Sequence, residues 1–214
     1  MIVDMCMSRD VETIHPEASL FEGIRQMTAR RIRRLVVTQG RSIVGIVCHR
    51  DIVGAFPAHI NPFSPIALEA SGRSPGSVEH VMKHPVITIG ADQPIEHAAE
   101  LMIQNHIGGL PVTTKNRLVG IITESDIFRT FSRLISVHSK ATRITFDLTA
   151  DEEAFAYLVN LTRELGLELL SFVSFHEGDR RLAVAHVQGV AVSELIDRLW
   201  NSGHAVANVI RNTP

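Results

Sequence analysis

The sequence predicts a mixed chain of three small modules: two β-α-β-β-α units of α/β character in tandem, then a β-α-β-β-α-β unit of α+β character. Three observations carry this. An ungapped internal repeat at an offset of 75 makes 14 of the 47 positions in 7–53 identical to their counterparts in 82–128. Short β-branched runs alternate with stretches whose apolar residues recur at helical spacing. After His138 the pattern changes and no third copy follows.

Each repeat reads alike. An extended piece, Val11–Ile14 or Val86–Ile89, leads into a helix whose apolar positions in the first copy are Leu20, Ile24 and Met27. Ser19 and Glu22 have capping-box spacing at its start, and Pro94 supplies a preset first-turn dihedral in the second copy. Two β-branched runs follow, Leu35–Thr38 with Ile43–Val47 and Leu110–Thr113 with Leu118–Ile122, each pair joined by a tight polar turn that reads as a hairpin. A second helix opens near Asp51 or Asp126. Residues 57–76 hold four of the nine prolines and read as an irregular linker. In the last eighty residues, Arg143–Leu148 reads as a strand, and Ala154, Leu158, Leu161 and Leu165 recur at helical spacing before Gly166, a natural helix stop. Glu168–His176 and Arg180–Val187 flank the turn Glu177-Gly178-Asp179. A helix carrying Val192, Leu195, Ile196 and Leu199 ends near Gly203, and Ala205–Ile210 closes as a strand. That order is the order of a ferredoxin-like sandwich.

Composition bounds the function. With 45% hydrophobic residues, 21% charged residues, 5% aromatics and a net charge of -2 in 214 residues, the chain suits a globular protein with a real core and no overall basic field. Cys6 and Cys48 are too few for a disulfide framework and lack C-x-x-C spacing, so a reducing cytoplasm is the simplest setting. Asp4 stands where a signal peptide needs a basic start, and no run of ~18 apolar residues occurs. No Walker loop, G-x-S-x-G, H-E-x-x-H or activated cysteine appears, which favours a non-enzyme. Of the eleven histidines only His80 and His84 have i, i+4 spacing, and Pro85 follows directly, so no metal is expected.

Three motifs occur in order and twice: M-K-H-P-V-I-T-I, I-G-G-L-P-V and L-V-G-I-I-T-E-S-D-I-F in the second copy, and M-S-R-D-V-E-T-I, I-R-R-L-V-V and I-V-G-I-V-C-H-R-D-I-V in the first. Over about residues 1–135 the chain resembles a tandem pair of CBS domains, a Bateman module. The resemblance implies repeats at 1–58 and 77–137, a linker at 59–76 and a last domain at 138–214. It implies an adenosine-containing ligand such as AMP, ADP or ATP, held in clefts that take residues from both repeats. Asp126, and Asp51 in the first repeat, would accept hydrogen bonds from ribose hydroxyls, with Thr123 offering a hydroxyl and Gly120 a close backbone approach. Adenine would lie in an apolar slot lined by the early strand, with Val86 and Ile87, and the I-G-G-L-P segment of the partner repeat, with Gly108 and Gly109, read mainly by backbone groups. Ile121 belongs to the strand after Gly120 that allows the close approach. An Asp in that place also caps the helix that follows, and one residue can do both. Cys48 replaces the hydroxyl residue in the first repeat.

Arg33 and Arg34 align with Gly108 and Gly109. In the family, basic residues there face ligand phosphates, and guanidinium groups pair well with phosphate oxygens. Arg30 and Arg31 read either as a solvated helix face or as part of the same cluster; a nucleic-acid patch lacks the aromatic interleaving that would support it. Lys83 and His84 stand as possible neighbours of a cleft.

The C-terminal segment is similar to an ACT domain. Members that bind amino acids usually carry a glycine in the loop after the first strand, but here that loop is L-T-A-D-E-E, with Asp151, Glu152 and Glu153. The acids also suit the first turn of a helix. Pairing with another ACT-like surface is therefore expected ahead of amino-acid binding. The whole arrangement resembles bacterial acetoin-utilisation AcuB-type proteins. It implies a cytoplasmic, non-catalytic homodimeric sensor of adenine nucleotides, without a required cofactor, that relays occupancy to a partner enzyme. An amino-acid sensor acting through the last module is the alternative, and a nucleotide-processing enzyme stands behind it.

Overall fold

The structure is a computed structural model that describes residues 1–56, 76–134, 141–151 and 153–211. Apart from Gly76, the expected linker lies outside the described residues, as do the expected boundary at 137/138 and Glu152. The chain forms two compact units, Met1–Ile127 and Phe128–Pro214. Among the described residues no helix is long and apolar enough to cross a membrane.

In the first repeat the elements are β1 (Thr13–Ile14), α1 (Leu20–Arg30), β2 (Arg34–Gln39), β3 (Ser42–Cys48) and α2 (His49–Gly54). In the second they are β4 (Ile89–Gly90), α3 (Ile95–Asn105), β5 (Gly109–Thr114), β6 (Arg117–Thr123) and α4 (Glu124–Leu134). Each repeat holds a three-stranded sheet in sequence order, the first pair of strands parallel and the second a hairpin. Register repeats at the 75-residue offset: Ile14 faces Val37 as Ile89 faces Val112, and both hairpins slip one residue after those valines. Two local expectations shift. The ladders begin at Thr13 and Ile89, so Val11, Val86 and Ile87 precede them. Pro94 is the N-cap, extended at ψ 144°, and the helix begins one residue later at Ile95. Ser19 caps α1 as its sequence requires, its Oγ accepting the Glu22 N–H at 3.1 Å, and Leu20, Ile24 and Met27 are buried.

The two repeats exchange their leading segments. The short 3₁₀ turn Val3–Met5 belongs to the core of the second repeat, where Val3 and Met7 pack with Ile95, Leu110 and Ile122. Its counterpart Val78–His80 belongs to the first, where Val78 packs with Leu20, Leu35 and Ile52. The backbone follows the same symmetry: Val3 N–H donates to Gln93 O and Val78 N–H to Ala18 O, both at 2.9 Å. Met7 lies where a side chain on Gly120 would be, and Met82 does the same at Gly45. Only glycine leaves that room. The close approach expected at Gly120 is thus taken by Met7 and by Ser8, whose N–H and C=O both bond Ile121 at 2.9 Å.

The second unit holds β7 (Thr142–Asp147), α5 (Ala154–Glu164), β8 (Glu168–Glu177), β9 (Arg180–Gln188), α6 (Val192–Asn201) and β10 (Val206–Arg211), the β-α-β-β-α-β order read from the sequence. Its antiparallel sheet runs β10-β7-β9-β8. Both helices cover one face, where Ile144, Phe146, Ala185, Leu158, Leu195 and Leu199 form the core. Gly166, at φ 63°, ends α5 by turning the chain left-handed. A bulge between Leu169 and Ser171 shifts the alternation of β8, so that Leu169 and Phe172 both reach the core.

Met7→Ala should cost about 2–5 kcal/mol, because it empties a methionine-sized space between the repeats. Met5→Ala, at a residue 69% exposed in the same segment, should stay within about 0.5 kcal/mol. Urea unfolding of the full chain followed by circular dichroism measures both, and equal effects would contradict the exchanged core.

Candidate functional site

The hairpins and the helices that follow them build the site. Register sets Arg34 opposite Cys48 in the first repeat and Gly109 opposite Thr123 in the second. Each second helix is tied back to the start of its hairpin, His49 N–H donating to Arg33 O at 2.9 Å and Glu124 N–H to Gly108 O at 3.2 Å. Strand starts and helix starts are thereby clamped together, and side chains from both gather at one place.

Both expected aspartates sit at the third residue of these helices. Asp51 Oδ2 accepts the Cys48 N–H at 2.9 Å, while the Cys48 thiol takes the Asp51 N–H, closing a capping box. Asp126, 6% exposed, accepts the Thr123 N–H at 3.0 Å and the Thr123 hydroxyl at 2.6 Å through Oδ2. Neither aspartate is the N-cap itself; each, from the third helical position, accepts the N–H of the residue before the helix. These bonds also fix each carboxylate on a rigid helix start. Burial, then the hydrogen bond to Asp51, push the Cys48 thiol above its ordinary pKa. Lys83 Nζ lies 3.9 Å from Asp51 Oδ1, on a side chain 74% exposed, so this pair is weak.

A cavity of about 610 Å³ is lined by Arg33, Arg34, Cys48, His49, Arg50 and Glu124. Four of these were not among the residues singled out from the sequence as site residues: Cys48, His49, Arg50 and Glu124. The signal for them was present, since His49 and Glu124 are equivalents at the 75-residue offset. Three guanidinium groups and an imidazole face a single carboxylate, which suits an anion. Arg34 also reaches the second repeat. A methyl group on Gly108 would collide with its guanidinium and lie 2.7 Å from Glu124 Oε2, and one on Gly109 would lie 3.3 Å from its Cδ. The room left by the paired glycines is occupied here by Arg34.

Of the expected site residues only Arg33 and Arg34 line this cavity; Asp51, Asp126 and Thr123 stand beside it at the helix starts without lining it, and the others fall elsewhere. Arg30 pairs with Glu12 at 2.8 Å and Arg31 is the exposed left-handed cap of α1, so neither lines the cavity. Val86 and Ile87 are half-buried ahead of β4, with Ile87 packed on the second core, and the backbone of Ile121 is spent on Ser8. His80 ends its short turn and shares a hydrogen bond with Ser77 at 2.8 Å, so His84 does not share a helix with it. Among the described residues no group of three His, Cys, Asp or Glu residues could hold a metal ion.

The CBS domain family model matches residues 2–58 and 78–133. An uncharacterised 33.4 kDa protein of Thermofilum pendens, from a ribosomal RNA operon, is 31% identical over 147 residues, or 65% of this chain and 48% of that protein. The chain thus spans about half the length of that curated relative. Among solved structures, the CBS domain pair of protein MJ0100 in complex with 5′-methylthioadenosine and S-adenosyl-L-methionine is 28% identical. It has a TM-score of 0.52 and covers 62% of this chain and 97% of its own. A structure assigned as the acetoin utilization protein AcuB of Vibrio cholerae is 27% identical with a TM-score of 0.51, covering 64% of this chain and 94% of its own.

Iodoacetamide should modify Cys48 more slowly than it modifies glutathione at pH 8, with the rate-against-pH profile displaced to higher pH, because a raised pKa leaves less thiolate. Asp51→Asn removes the charge that opposes the thiolate and should move the profile back down. A Cys48 profile coinciding with that of glutathione would contradict the burial and bonding described.

Proposed function

Because the chain belongs to the CBS-domain family, we propose that it is a non-catalytic sensor that binds an adenine nucleotide between its repeats and relays occupancy to a partner enzyme through the geometry of a homodimer. The observation that carries this is the cavity of about 610 Å³ in which, among the described residues, Arg33, Arg34, His49 and Arg50 face Glu124 as the one carboxylate. The MJ0100 pair bound to two adenosyl compounds supports an adenosyl ligand. The arginines favour a phosphorylated one, since planar guanidinium groups take phosphate oxygens in pairs.

In this reading Asp51 and Asp126 accept the ribose hydroxyls, with Thr123 beside the second. Arg33 and Arg34 hold phosphate. Val86, Ile87, Ile121, Gly108 and Gly109 flank the adenine, and Arg34 swings off Gly108 when phosphate arrives. The two repeats differ in charge. Arg33, Arg34, His49 and Arg50 stand in the first where Gly108, Gly109, Glu124 and Ser125 stand in the second, so phosphate belongs on the Asp51 side and Glu124 repels it on the other. Coupling to a partner requires different ligand affinity in the two conformations.

The second unit, with its β-α-β-β-α-β order, is read as a ferredoxin-like, ACT-like module that pairs with another copy. Its acidic loop is engaged internally: Asp151 Oδ2 meets His204 Nδ1 at 2.8 Å and accepts the Ala205 N–H at 3.2 Å. That disfavours the amino-acid reading. The setting proposed is cytoplasmic.

Calorimetry of the full chain against adenosine, AMP, ATP and S-adenosylmethionine tests the proposal. AMP or ATP should bind more tightly than adenosine. Arg33→Ala with Arg34→Ala should weaken the nucleotides by about tenfold to a hundredfold, as expected for lost charge-assisted hydrogen bonds, and leave adenosine unchanged. Glu124→Gln should tighten them. Asp51→Asn with Asp126→Asn should weaken adenosine and nucleotides alike. Nucleotide affinity indifferent to all these changes, or steady turnover of ATP, would overturn the assignment.

A further inference from the structure

We propose that the second unit carries a separate binding site for a small monocarboxylate with an alkyl or aryl body, on the face of its sheet opposite the helices. A cavity of about 310 Å³ lies there, within the range of small-molecule pockets, lined by Phe131, Arg143, Val173, Phe175, Val184 and His186. The bulge in β8 creates it. By reversing the alternation after Leu169, the bulge turns Ser171, Val173 and Phe175 away from the helix-covered core and onto the face shared with Val184 and His186 of β9.

The lining has one chemical direction. Four of its six side chains are apolar, and Val184 is 7% exposed although it lies outside the main core. The polar members are both basic residues, and among the described residues no carboxylate lines the space. His186 is 6% exposed and held by a 3.0 Å hydrogen bond with Ser171. Arg143 is half-buried, in register with His186 on one side and Ile210 on the other, and among the described residues no acid pairs with it. A guanidinium beside apolar walls, with no counter-ion among the described residues, carries a desolvation cost that an incoming carboxylate offsets, bonding to the fork with both oxygens. The body of the ligand then covers Val173, Phe175 and Phe131. A free amino acid fits poorly, because its ammonium would meet Arg143 and find no carboxylate among the described residues of the lining. The site is independent of the nucleotide reading and belongs to the other unit.

The test uses the full chain, isotope-labelled, with hexanoate and 3-phenylpropionate as probes and hexanol, 3-phenylpropanol and phenylalanine as controls. In calorimetry the two acids should bind at least about tenfold more tightly than the controls, and should shift the methyl resonances of Val173 and Val184. Arg143→Gln should weaken the acids by about tenfold to a hundredfold and abolish the difference between acid and alcohol. If that variant does not fold, the acid-to-alcohol ratio and the methyl shifts of the unaltered chain decide. Equal binding of acids and alcohols, acids that bind without moving those methyls, or no binding of either acid overturns the proposal. So does a face closed by self-association, seen as a dimer that Val173→Asp converts to monomer while the acids leave the methyls unmoved.

Discussion

Two methionines set into two glycine notches hold the first unit together, and the cavity depends on them. Met7 fills the space over Gly120 and Met82 the space over Gly45, each carried by a segment that leads into one repeat and packs in the other. A repeat of this size buries too little apolar surface to be secure alone. The exchange makes each repeat complete the other's core, and side chains beyond glycine at either notch would push the segments off. With the segments seated, the two hairpins are held so that Arg34 of one repeat reaches Gly108 of the other. The notches lie midway along β3 and β6, the partner strands of those that carry Arg34 and follow Gly108.

On this symmetric frame the chemistry is unsymmetric. The backbone devices are duplicated: an aspartate at the third helical residue, a helix start bonded to the preceding strand, and a slip in each hairpin. The side chains at the cavity are not. Arginines and a histidine stand on one side where glycines and a glutamate stand on the other, so in the proposed reading it is charge that selects which side takes phosphate. Glu124 matters as much as the arginines here, since a carboxylate near a guanidinium both neutralises it and repels an anion.

Much of this was legible in the residues. The 75-residue offset, the β-branched runs and the Ser19 cap lead to the right elements because they are local rules of periodicity and capping. Asp51 and Asp126 were legible as helix-start residues for the same reason. The exchange of leading segments was not, although Met7, Met82, Gly45 and Gly120 are all identical pairs in the repeat: nothing local says which methionine meets which glycine. His49, Arg50 and Glu124 escaped although they stand inside the motif, just before its aspartate, because a charge beside a helix start reads as solvated until the facing repeat is in place. The bulge at Leu169 is likewise invisible in a run of ten strand residues, yet it decides which side chains leave the core.

The central claim is that one cavity, built by both repeats, takes a phosphorylated nucleoside with its phosphate on the arginine side. A crystal structure of the full chain grown with AMP tests it most directly. The account predicts phosphate oxygens within hydrogen-bond reach of Arg33 or Arg34, ribose hydroxyls on Asp51 and the Arg34 guanidinium moved away from Gly108. AMP seated outside this cavity, or in it with the phosphate turned toward Glu124 and the arginines unmoved, would contradict it.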